Sequence, residues 1–337
     1  MNRVRFHGNR EISIERVEKT DPAPGETLVR VARSAICGSE LPAYRDDNPS
    51  KEYANPGHEM VGTIEAGNGL KRLGVGARVG VTVLAGCGLC KYCVGGDPKH
   101  CVEGASMALD AHGEYVTVPE SCLQLLIDDL DWDAGVLLCG DACGTPFRAI
   151  ERVGGVRAKE TAAVFGAGPI GLGCIAWLSY FGVSVFVSEP TEYRRRLALS
   201  IGATAAVDPI ADDVVEFIRD QTDGGADLCF DCSESEATTA ASLDSVAIGG
   251  RVAFIGEKAK TSINPSQQFI RKEILVSGSW YFTAADYQNE LVHFKRGFDP
   301  RNLITHRFHL VDSGSAYRLF EGGETGKVLF DTDAPRI

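Results

Sequence analysis

A glycine-rich string, G-A-G-P-I-G at residues 166–171, limits the fold of this chain more than any other feature. It follows the β-rich run at 162–165 and opens a helical segment that ends near residue 181, before a second β-rich run at 183–187. This order predicts a βαβ unit of a Rossmann domain. The first glycine allows a tight turn, the second lets a pyrophosphate approach the backbone, and the third lets helix and strand pack closely. We therefore expect a dinucleotide at the helix N-terminus, held by Gly166, Gly168, Pro169, Ile170 and Gly171.

An acid at the end of the second strand bears on the choice of dinucleotide. Glu189 stands 18 residues beyond Gly171, where a carboxylate can accept hydrogen bonds from the hydroxyls of the adenosine ribose. This position favours NAD over NADP. The arginines at 194–196 follow closely and either meet a 2′-phosphate or form a solvated helix face. Arg194 is kept as a candidate cofactor contact.

The pattern of strand-like and helical segments changes along the chain and predicts an α/β protein of two domains. Residues 1–148 hold short β-rich runs broken by glycine and proline, whereas strand-like and helical segments alternate through 149–284 and predict a doubly wound parallel sheet. The pattern changes again at 285–337, and we expect this segment to rejoin the first domain. A chain of 337 residues can form two cores, because single cores seldom exceed roughly 250–300 residues.

Charge and hydropathy exclude several classes of function. The formal net charge of −12 opposes attraction to nucleic acid or to an anionic membrane surface. No apolar run approaches the roughly 20 residues of a membrane span, and the start of the chain does not read as a signal peptide. We therefore expect a cytoplasmic protein with no nucleic-acid or membrane partner. In such a chain the 11 cysteines indicate metal ligands or buried thiols before disulfides.

Four of the cysteines lie close together in the pattern C-x2-C-x2-C-x7-C. This spacing suits a closed, tetrahedral zinc site that stabilises a lobe at 87–101 and leaves no open position for a substrate. Disulfide pairing is the alternative, and His100 is an additional candidate ligand. The four expected ligands are Cys87, Cys90, Cys93 and Cys101.

A second set of metal ligands is divided between two short motifs, C-G-S-E at 37–40 and G-H-E at 57–59. Cys37 and His58 can give a thiolate and an imidazole to an open zinc site that still needs a third protein ligand. Glu59 is an acid beside His58 that can support the ligands or join them. We therefore expect two zinc ions per chain.

In this order the motifs resemble those of the zinc-containing medium-chain dehydrogenase/reductases, the family of alcohol, sorbitol and threonine dehydrogenases. The resemblance spans nearly the whole chain and includes T-G-K-V at 325–328. It implies a GroES-like β-rich domain that carries both zinc ions, a Rossmann domain, and catalysis in the cleft between them. It also implies assembly into a homodimer or homotetramer.

The resemblance implies roles for single residues as well. Zinc acts as a Lewis acid on the substrate oxygen while a hydride passes to the nicotinamide. Ser39 matches the family hydroxyl that takes up the substrate proton, with a turn-capping serine as the alternative. Thr145 and Lys327 are expected to contact the cofactor.

One position departs from the family pattern. Many members carry a histidine five residues after the first zinc ligand, which continues the proton relay toward solvent, and this chain has Pro42 there. Proline can neither accept nor donate a side-chain proton, so the outer relay must run through water or another residue. Glu40 is still expected to reach His58 as a hydrogen-bond acceptor.

The third ligand of the open site lies in the segment L-L-C-G-D at 137–141. In family members with cysteine as this ligand, a threonine follows four residues later, and counting back from Thr145 gives Asp141. Cys139 would need a shift of two residues. Residues so spaced cannot easily share one metal, because they lie on opposite faces of a helix or about 6–7 Å apart along a strand. We predict Asp141; the alternative is that Asp141 caps the helix and Cys139 binds.

Together these features predict an oxidoreductase that transfers a hydride between NAD and a secondary alcohol in a polyol, sugar, cyclitol or amino-alcohol. A simple primary or secondary alcohol is the alternative substrate. A zinc-free quinone or enoyl reductase of the same superfamily would have no reason to keep Cys37, His58 and the four-cysteine lobe together. A zinc protein that senses dinucleotides without turnover is a further alternative, against which Ser39 beside an open zinc site argues.

Overall fold

Two large sheets organise the chain, one mixed and one parallel. The computed structural model describes residues 1–47, 54–257 and 260–332. Within these residues no helix combines the length and the apolar character needed to cross a membrane.

The first part of the chain is rich in short strands. Its strands and helices are β1 (Asn2–Gly8), β2 (Glu11–Arg16), β3 (Glu26–Ala35), α1 (Leu41–Arg45), β4 (Glu59–Gly67), β5 (Arg78–Val81), β6 (Leu84–Ala85), α2 (Lys91–Val94), β7 (Ser106–Met107), β8 (Tyr115–Pro119), β9 (Leu123–Leu125), α3 (Trp132–Leu138) and α4 (Asp141–Arg152). Single 3-10 turns lie at Gly38–Glu40, Pro98–His100 and Glu120–Cys122.

Strands and helices then alternate. The elements are β10 (Thr161–Phe165), α5 (Pro169–Tyr180), β11 (Ser184–Ser188), α6 (Glu192–Ile201), β12 (Ala205–Val207), α7 (Val214–Gln221), β13 (Ala226–Asp231), α8 (Glu236–Ser245), β14 (Val246–Phe254) and β15 (Leu275–Gly278), with a π-helical turn at Pro265–Ile270. The strands form a parallel sheet in the order β12-β11-β10-β13-β14-β15.

The last part of the chain returns to the mixed sheet. Its elements are α9 (Ala284–Lys295), β16 (Ile304–His309), α10 (Ser313–Glu321) and β17 (Lys327–Asp331), with 3-10 turns at Pro300–Leu303 and Leu310–Asp312. The mixed sheet has the order β16-β17-β3-β4-β5-β9, and β8 also pairs with β3. Because β17 runs antiparallel to β3, with Leu329 opposite Ala35, residues 327–331 lie in the same sheet as the first domain.

The parallel sheet reverses its strand order at β10. All residues of β10 from Ala162 to Phe165 are buried, as expected for a strand covered on both faces. The next strand, β11, lies on one side of β10, and β13 lies on the other. A crevice opens beyond the carboxyl ends of the strands at such a switch point, which is where ligands bind in open α/β sheets.

The glycine string occupies this switch point, and each glycine has its own steric reason. Gly166 adopts a φ of 89°, a left-handed conformation that glycine adopts without steric penalty. A Cβ atom at Gly171 would overlap the carbonyl oxygen of Gly166. A Cβ at Gly168 would meet no atom within 4 Å, so this residue faces open space. The loop is therefore tightly closed at its ends and open at its centre.

A continuous apolar core joins the two sheets. It contains buried residues of α3, α4, α5 and α9 together with Leu329 of β17. At its centre Trp177 stacks on Phe298, with ring centroids 3.5 Å apart, and the indole Nε1 donates a hydrogen bond to the carbonyl oxygen of Cys143 at 3.1 Å. The two sheets therefore share one continuous apolar core.

Replacing Trp177 with alanine should lower the free energy of unfolding by about 3–5 kcal/mol, because a fully buried aromatic side chain is lost and a cavity remains. Urea unfolding followed by circular dichroism measures the change. Ile248, which is 78% exposed, provides the control: Ile248→Ala should change stability by less than about 0.5 kcal/mol. Equal losses in the two variants would contradict this account of the core.

Candidate active site

Four buried side chains converge where β3 ends and β4 begins. Cys37, His58, Glu59 and Asp141 each offer one ligand atom, and these atoms all lie within 4.8 Å of one another. Cys37 follows β3 and His58 precedes β4; because the strands are antiparallel neighbours, with Ala35 opposite Glu59, the two motifs meet. Asp141 is the first residue of α4. We call these four residues the ligand cluster.

The geometry of the ligand cluster fits a zinc ion. The Cys37 Sγ lies 3.8 Å from the Asp141 Oδ2, close to the edge of about 3.5 Å that a zinc tetrahedron with one sulfur and one oxygen ligand would have. The His58 Nε2 lies 2.9 Å from the same oxygen. Within the described chain, the Asp141 Oδ1 and the Glu59 Oε2 are buried without a hydrogen-bond partner. Buried carboxylate oxygens need a compensating group, and a cation supplies one.

A buried lysine balances the acidic ligands. Lys327, the first residue of β17, is 1% exposed and forms an ion pair with the Glu59 Oε1. A bound divalent cation would displace the proton of His58, and the charges of the cation and Lys327 would then balance those of two carboxylates and one thiolate. Burial raises the pKa of Glu59 to about 7, although Lys327 opposes the shift. Glycine at position 140 is required here, because a Cβ there would overlap the Glu59 Oε2.

The structure separates the two residues that compete for the third ligand position. Asp141 lies in the ligand cluster, whereas the Cys139 side chain packs against Gly80, where a Cβ would overlap its sulfur. Cys139 is 1% exposed, and burial raises the pKa of its thiol. Asp141 therefore stands beside Cys37 and His58, and Cys139 belongs to the apolar core.

Glu40 lies behind His58 and belongs to a larger hydrogen-bonded network. Its Oε1 is 3.6 Å from the His58 Nδ1, while its Oε2 is 3.2 Å from the His112 Nε2 and accepts a short hydrogen bond from the Tyr317 hydroxyl. Burial favours the neutral acid, but His112, His58 and Tyr317 together lower the pKa of Glu40. The closest partners of Glu40 are therefore Tyr317 and His112, which the sequence analysis did not identify.

His58 is itself held in a charged environment. Burial lowers the pKa of the imidazole, but hydrogen bonds to Asp141 and Cys37 and the charges of both residues outweigh burial and raise the pKa well above its usual value. The ring also packs edge-on against Tyr281, with centroids 6.4 Å apart. Contacts on several sides thus fix the orientation of the imidazole.

Two cavities that share part of their lining reach the ligand cluster. The first, which we call the cleft, has a volume of about 340 Å³ and is lined by Cys37 and Asp141 together with the glycine loop. The second, which we call the side chamber, has a volume of about 410 Å³ and is lined by His58. Both are also lined by Ser39, Pro42, Glu257, Trp280 and Tyr281.

Ser39 is the exposed hydroxyl closest in sequence to the ligands. It follows Cys37 by two residues, and it faces both cavities. Pro42 lies on the same walls. The position that carries a relay histidine in many relatives therefore offers an apolar ring in this chain.

The predicted cofactor residues line the cleft in part. Gly168, Pro169, Ile170, Thr145 and Arg194 all contribute to its wall. The Thr145 hydroxyl is buried without a hydrogen-bond partner among the described residues. Lys327 was also predicted to contact the cofactor, but its described contacts are with the ligand cluster.

Glu189 and the neighbouring arginines have defined partners. Glu189 is 4% exposed, and its carboxylate accepts hydrogen bonds from the backbone of Ala167 at 2.7 Å and of Thr191 at 2.9 Å. Arg195 forms an ion pair with Asp208, and Arg196 pairs with Glu192 on the helix surface. Of the three arginines, Arg194 is the one that lines the cleft.

The four-cysteine lobe forms a second ligand set away from the ligand cluster. Its four sulfurs lie within 4.8 Å of one another, with Cys90 3.5 Å from Cys93 and 4.0 Å from Cys101. These values bracket the sulfur–sulfur edge of about 3.8 Å that a tetrahedral zinc–thiolate site would have. All 11 cysteines are free thiols. Backbone hydrogen bonds from Cys93 and Val102 lower the pKa of Cys90 to about 6.

The lobe contacts the wall of the cleft. Arg148 of α4 forms ion pairs of 3.0 Å with Asp97 of the lobe and with Asp286 of α9. The His100 ring lies 6.4 Å from that of Trp280. The position of the lobe is thus coupled to helices and to a ring that line or support the cleft.

Three further residues in the cavities were missed by the sequence analysis: Glu257, Trp280 and Tyr281. They follow β14 and β15, and parallel strands end at the same edge of a sheet as the glycine loop. Tyr281 has a φ of 47°, which is rare for an aromatic residue. Burial and the charges of Asp141, Cys37 and Glu257 raise the pKa of its hydroxyl. The sequence signal that could have identified these residues is their position just after a predicted strand of the parallel sheet.

Comparison with known proteins agrees with this geometry. The sequence model of the alcohol dehydrogenase GroES-like domain matches residues 23–128, and that of the zinc-binding dehydrogenase matches residues 169–296. An L-threonine 3-dehydrogenase of Pyrococcus furiosus is 31% identical over 93% of each chain. A zinc-type alcohol dehydrogenase-like protein of Escherichia coli is 30% identical over 96% of each chain.

A solved structure extends the comparison to the fold. The 2R,3R-butanediol dehydrogenase of Bacillus subtilis superposes with a TM-score of 0.84 at 26% identity and covers 99% of each chain. Sequence and fold thus agree with these relatives over nearly the whole length of the protein. The chain belongs to the zinc-containing medium-chain dehydrogenase/reductase family of oxidoreductases.

Proposed function

We propose that the protein is a zinc- and NAD-dependent dehydrogenase that oxidises a secondary alcohol in a polyol, sugar, cyclitol or amino-alcohol. The observation that carries the proposal is the position of the ligand cluster, with Cys37 and Asp141 facing the cleft and His58 facing the side chamber. A dinucleotide at Gly168 and an alcohol in the side chamber would meet at these three residues.

The residues of the chain have distinct parts in this reaction. When bound, zinc supplies Lewis acidity that lowers the pKa of the alcohol, and NAD accepts the hydride. Ser39, exposed to both cavities, is placed to accept the hydroxyl proton. Pro42 cannot pass the proton on, so the proton leaves through water from Ser39. Glu40 holds His58 from behind and keeps its orientation.

Two observations favour a secondary alcohol that carries further polar groups. Asp141 as a carboxylate ligand leaves a harder metal than a thiolate would, and a harder metal suits oxygen-rich substrates. The side chamber is also lined by the polar residues Asp46, Asn55 and Glu257. The names L-threonine 3-dehydrogenase and 2R,3R-butanediol dehydrogenase, given to two relatives, both designate secondary alcohols. A simple primary or secondary alcohol is the runner-up.

The proposal includes the setting of the enzyme. Its small-molecule partner is the alcohol or the corresponding ketone, and a cytoplasmic homodimer or homotetramer remains an expectation from the family resemblance. A zinc protein that senses dinucleotides without turnover is the competing hypothesis, and activity measurements separate the two.

The purified protein should contain two zinc ions per chain, because the two ligand sets share no residue. Cys93→Ser should lower thermal stability or assembly, since it opens a closed site that holds the lobe. Cys37→Ser should abolish turnover while the fold is retained. Metal analysis by mass spectrometry, circular dichroism and activity measure these effects. One zinc per chain with full activity, or the reverse pattern in the two variants, would overturn the assignment.

Asp141→Ala should lose the zinc of the ligand cluster and at least about a hundredfold in kcat. Even the loss of a residue that only supports a metal ligand costs roughly 10–100-fold in metal affinity or activity, and Asp141 is itself the expected ligand. Cys139→Ala should keep both zinc ions and most activity, since this thiol lies in the apolar core. The two variants are matched controls for each other. Loss of zinc in Cys139→Ala, together with retention in Asp141→Ala, would show that Cys139 is the ligand.

NAD reduction should be observed with some members of a panel of sugar alcohols, inositols, aminocyclitols, threonine and simple alcohols, and NAD should be preferred to NADP. Glu189 would face the 2′-phosphate of NADP, and two charges about 4 Å apart repel by roughly 4 kcal/mol at an effective dielectric constant of about 20, an upper value. Arg194 offsets part of this repulsion. Equal or higher kcat/KM with NADP would refute the cofactor assignment, and no turnover with any alcohol would refute the proposed function.

A further inference from the structure

Glu257 stands at the junction of the two cavities and has no part in the chemistry proposed above. It follows β14 by three residues, at the carboxyl edge of the parallel sheet, and it lines both the cleft and the side chamber. The residue is exposed, so its carboxylate is open to the cavities. Within the described part of the chain, no ion pair or hydrogen bond engages this carboxylate. Such an acid is available to a ligand.

Acidic side chains face the side chamber. Among the described residues that line it, none is lysine or arginine, and Glu257 adds a negative charge beside the ligand cluster. A cavity lined by charges of one sign raises the local concentration of ligands of the opposite sign. The side chamber therefore favours a cationic substrate and disfavours one with an additional carboxylate.

Two aromatic rings complete this environment. Trp280 and Tyr281 line the same chamber, with ring centroids 5.1 Å apart, and Trp280 is 42% exposed. The faces of tryptophan and tyrosine attract ammonium ions. The backbone of Tyr281 lies in the left-handed region, which aromatic residues rarely adopt. The turn after β15 therefore imposes this conformation and places the ring in the chamber. An acid beside two aromatic rings is a combination that binds an ammonium group.

We infer that the substrate is an amino-alcohol without a carboxylate, such as an amino-polyol or aminocyclitol, and that Glu257 binds its ammonium group. The inference rests on the proposed function and names its substrate class. The carbinol faces the ligand cluster while the ammonium lies between Glu257 and Trp280. The carbinol carbon gives two electrons as a hydride to NAD, the hydroxyl proton leaves through Ser39, and the ammonium is unchanged.

The chamber thus differs from what an α-amino acid requires. Threonine carries an ammonium and a carboxylate on the same carbon, so binding the former near Glu257 would bring the latter close to the same negative wall. The described lining offers no cation to hold that carboxylate. We therefore expect threonine to be a poor substrate of this protein.

The test compares matched pairs of substrates in the zinc-loaded enzyme at saturating NAD and pH 7.5. The pairs are scyllo-inosamine with scyllo-inositol, and 3-amino-1,2-propanediol with glycerol. In the wild type at least one amine should exceed its hydroxyl counterpart by about tenfold or more in kcat/KM, which corresponds to one ion pair of about 1.4 kcal/mol. Threonine should fall at least about tenfold below that amine.

Glu257→Gln should reduce the amine preference to within about twofold, because only the amine substrate loses an ion pair. Glu216→Gln, which removes an exposed acid on α7, serves as the control and should leave the preference intact. An equal preference in wild type and Glu257→Gln would overturn the inference. Equal losses for amine and hydroxyl substrates would also overturn it, because Glu257 would then act on the cofactor.

A binding measurement separates this inference from the proposed function. Calorimetric titration of 3-amino-1,2-propanediol into the enzyme–NADH complex should give at least about tenfold weaker binding in Glu257→Gln. If no alcohol is oxidised but this dependence is found, the proposed function fails and the ammonium site stands. If neither turnover nor Glu257-dependent binding is found, both are wrong.

Discussion

Several charged groups are buried together at the end of β3, and their mutual compensation governs how the surrounding structure is built. Glu59 and Asp141 place two carboxyl groups, and Cys37 a thiol, at positions that are almost fully buried. Isolated charges there would be strongly unfavourable, whereas paired and metal-bound ones are tolerated. Lys327 and the site for a divalent cation provide the pairing. The pairing of β17, β3 and β4 in the mixed sheet brings these groups within reach of one another.

The same arrangement explains where the cavities lie. The apolar core around Trp177 holds the parallel sheet against the mixed one, so the carboxyl ends of β10, β14 and β15 face the ligand cluster. Residues just beyond these strands can then change without disturbing either core. The ligand cluster is thus fixed by packing and charge, while Glu257 and Trp280, which line both cavities, stand in the loops that follow β14 and β15.

Local patterns in the sequence were enough to predict the glycine loop, the four-cysteine lobe and the parallel sheet. Each depends on residues close together in the chain, where spacing determines geometry. Asp141 could be preferred to Cys139 only through the distance to Thr145 in related sequences, because both residue types bind zinc. The structure adds that the two side chains point to different neighbours.

Contacts between distant segments were harder to predict. The ion pair of Lys327 with Glu59 was not predicted, since the direction of this side chain depends on the register of β17 beside β3. Glu40 was expected behind His58, yet Tyr317 is its closest partner, some 277 residues away in sequence. No local pattern encodes such pairings. For the same reason Glu257 could not be assigned to the side chamber before the strand order was known.

The position of Lys327 on the final strand also sets the order in which the metal site can be completed during synthesis. Chains fold from the N-terminus as they emerge, so Cys37, His58 and Glu59 are exposed to solvent long before the lysine is made. Until β17 adds to β3, burying Glu59 would leave a charge without its counterion. The strands of the parallel sheet lie within residues 161–278 and pair with one another, so the sheet itself can form before that segment is made. Its apolar core is completed later, by residues such as Phe298 and Leu329. We expect the parallel sheet to form while the chain is still on the ribosome, and the site around Glu59 to stay incomplete until β17 has been synthesised.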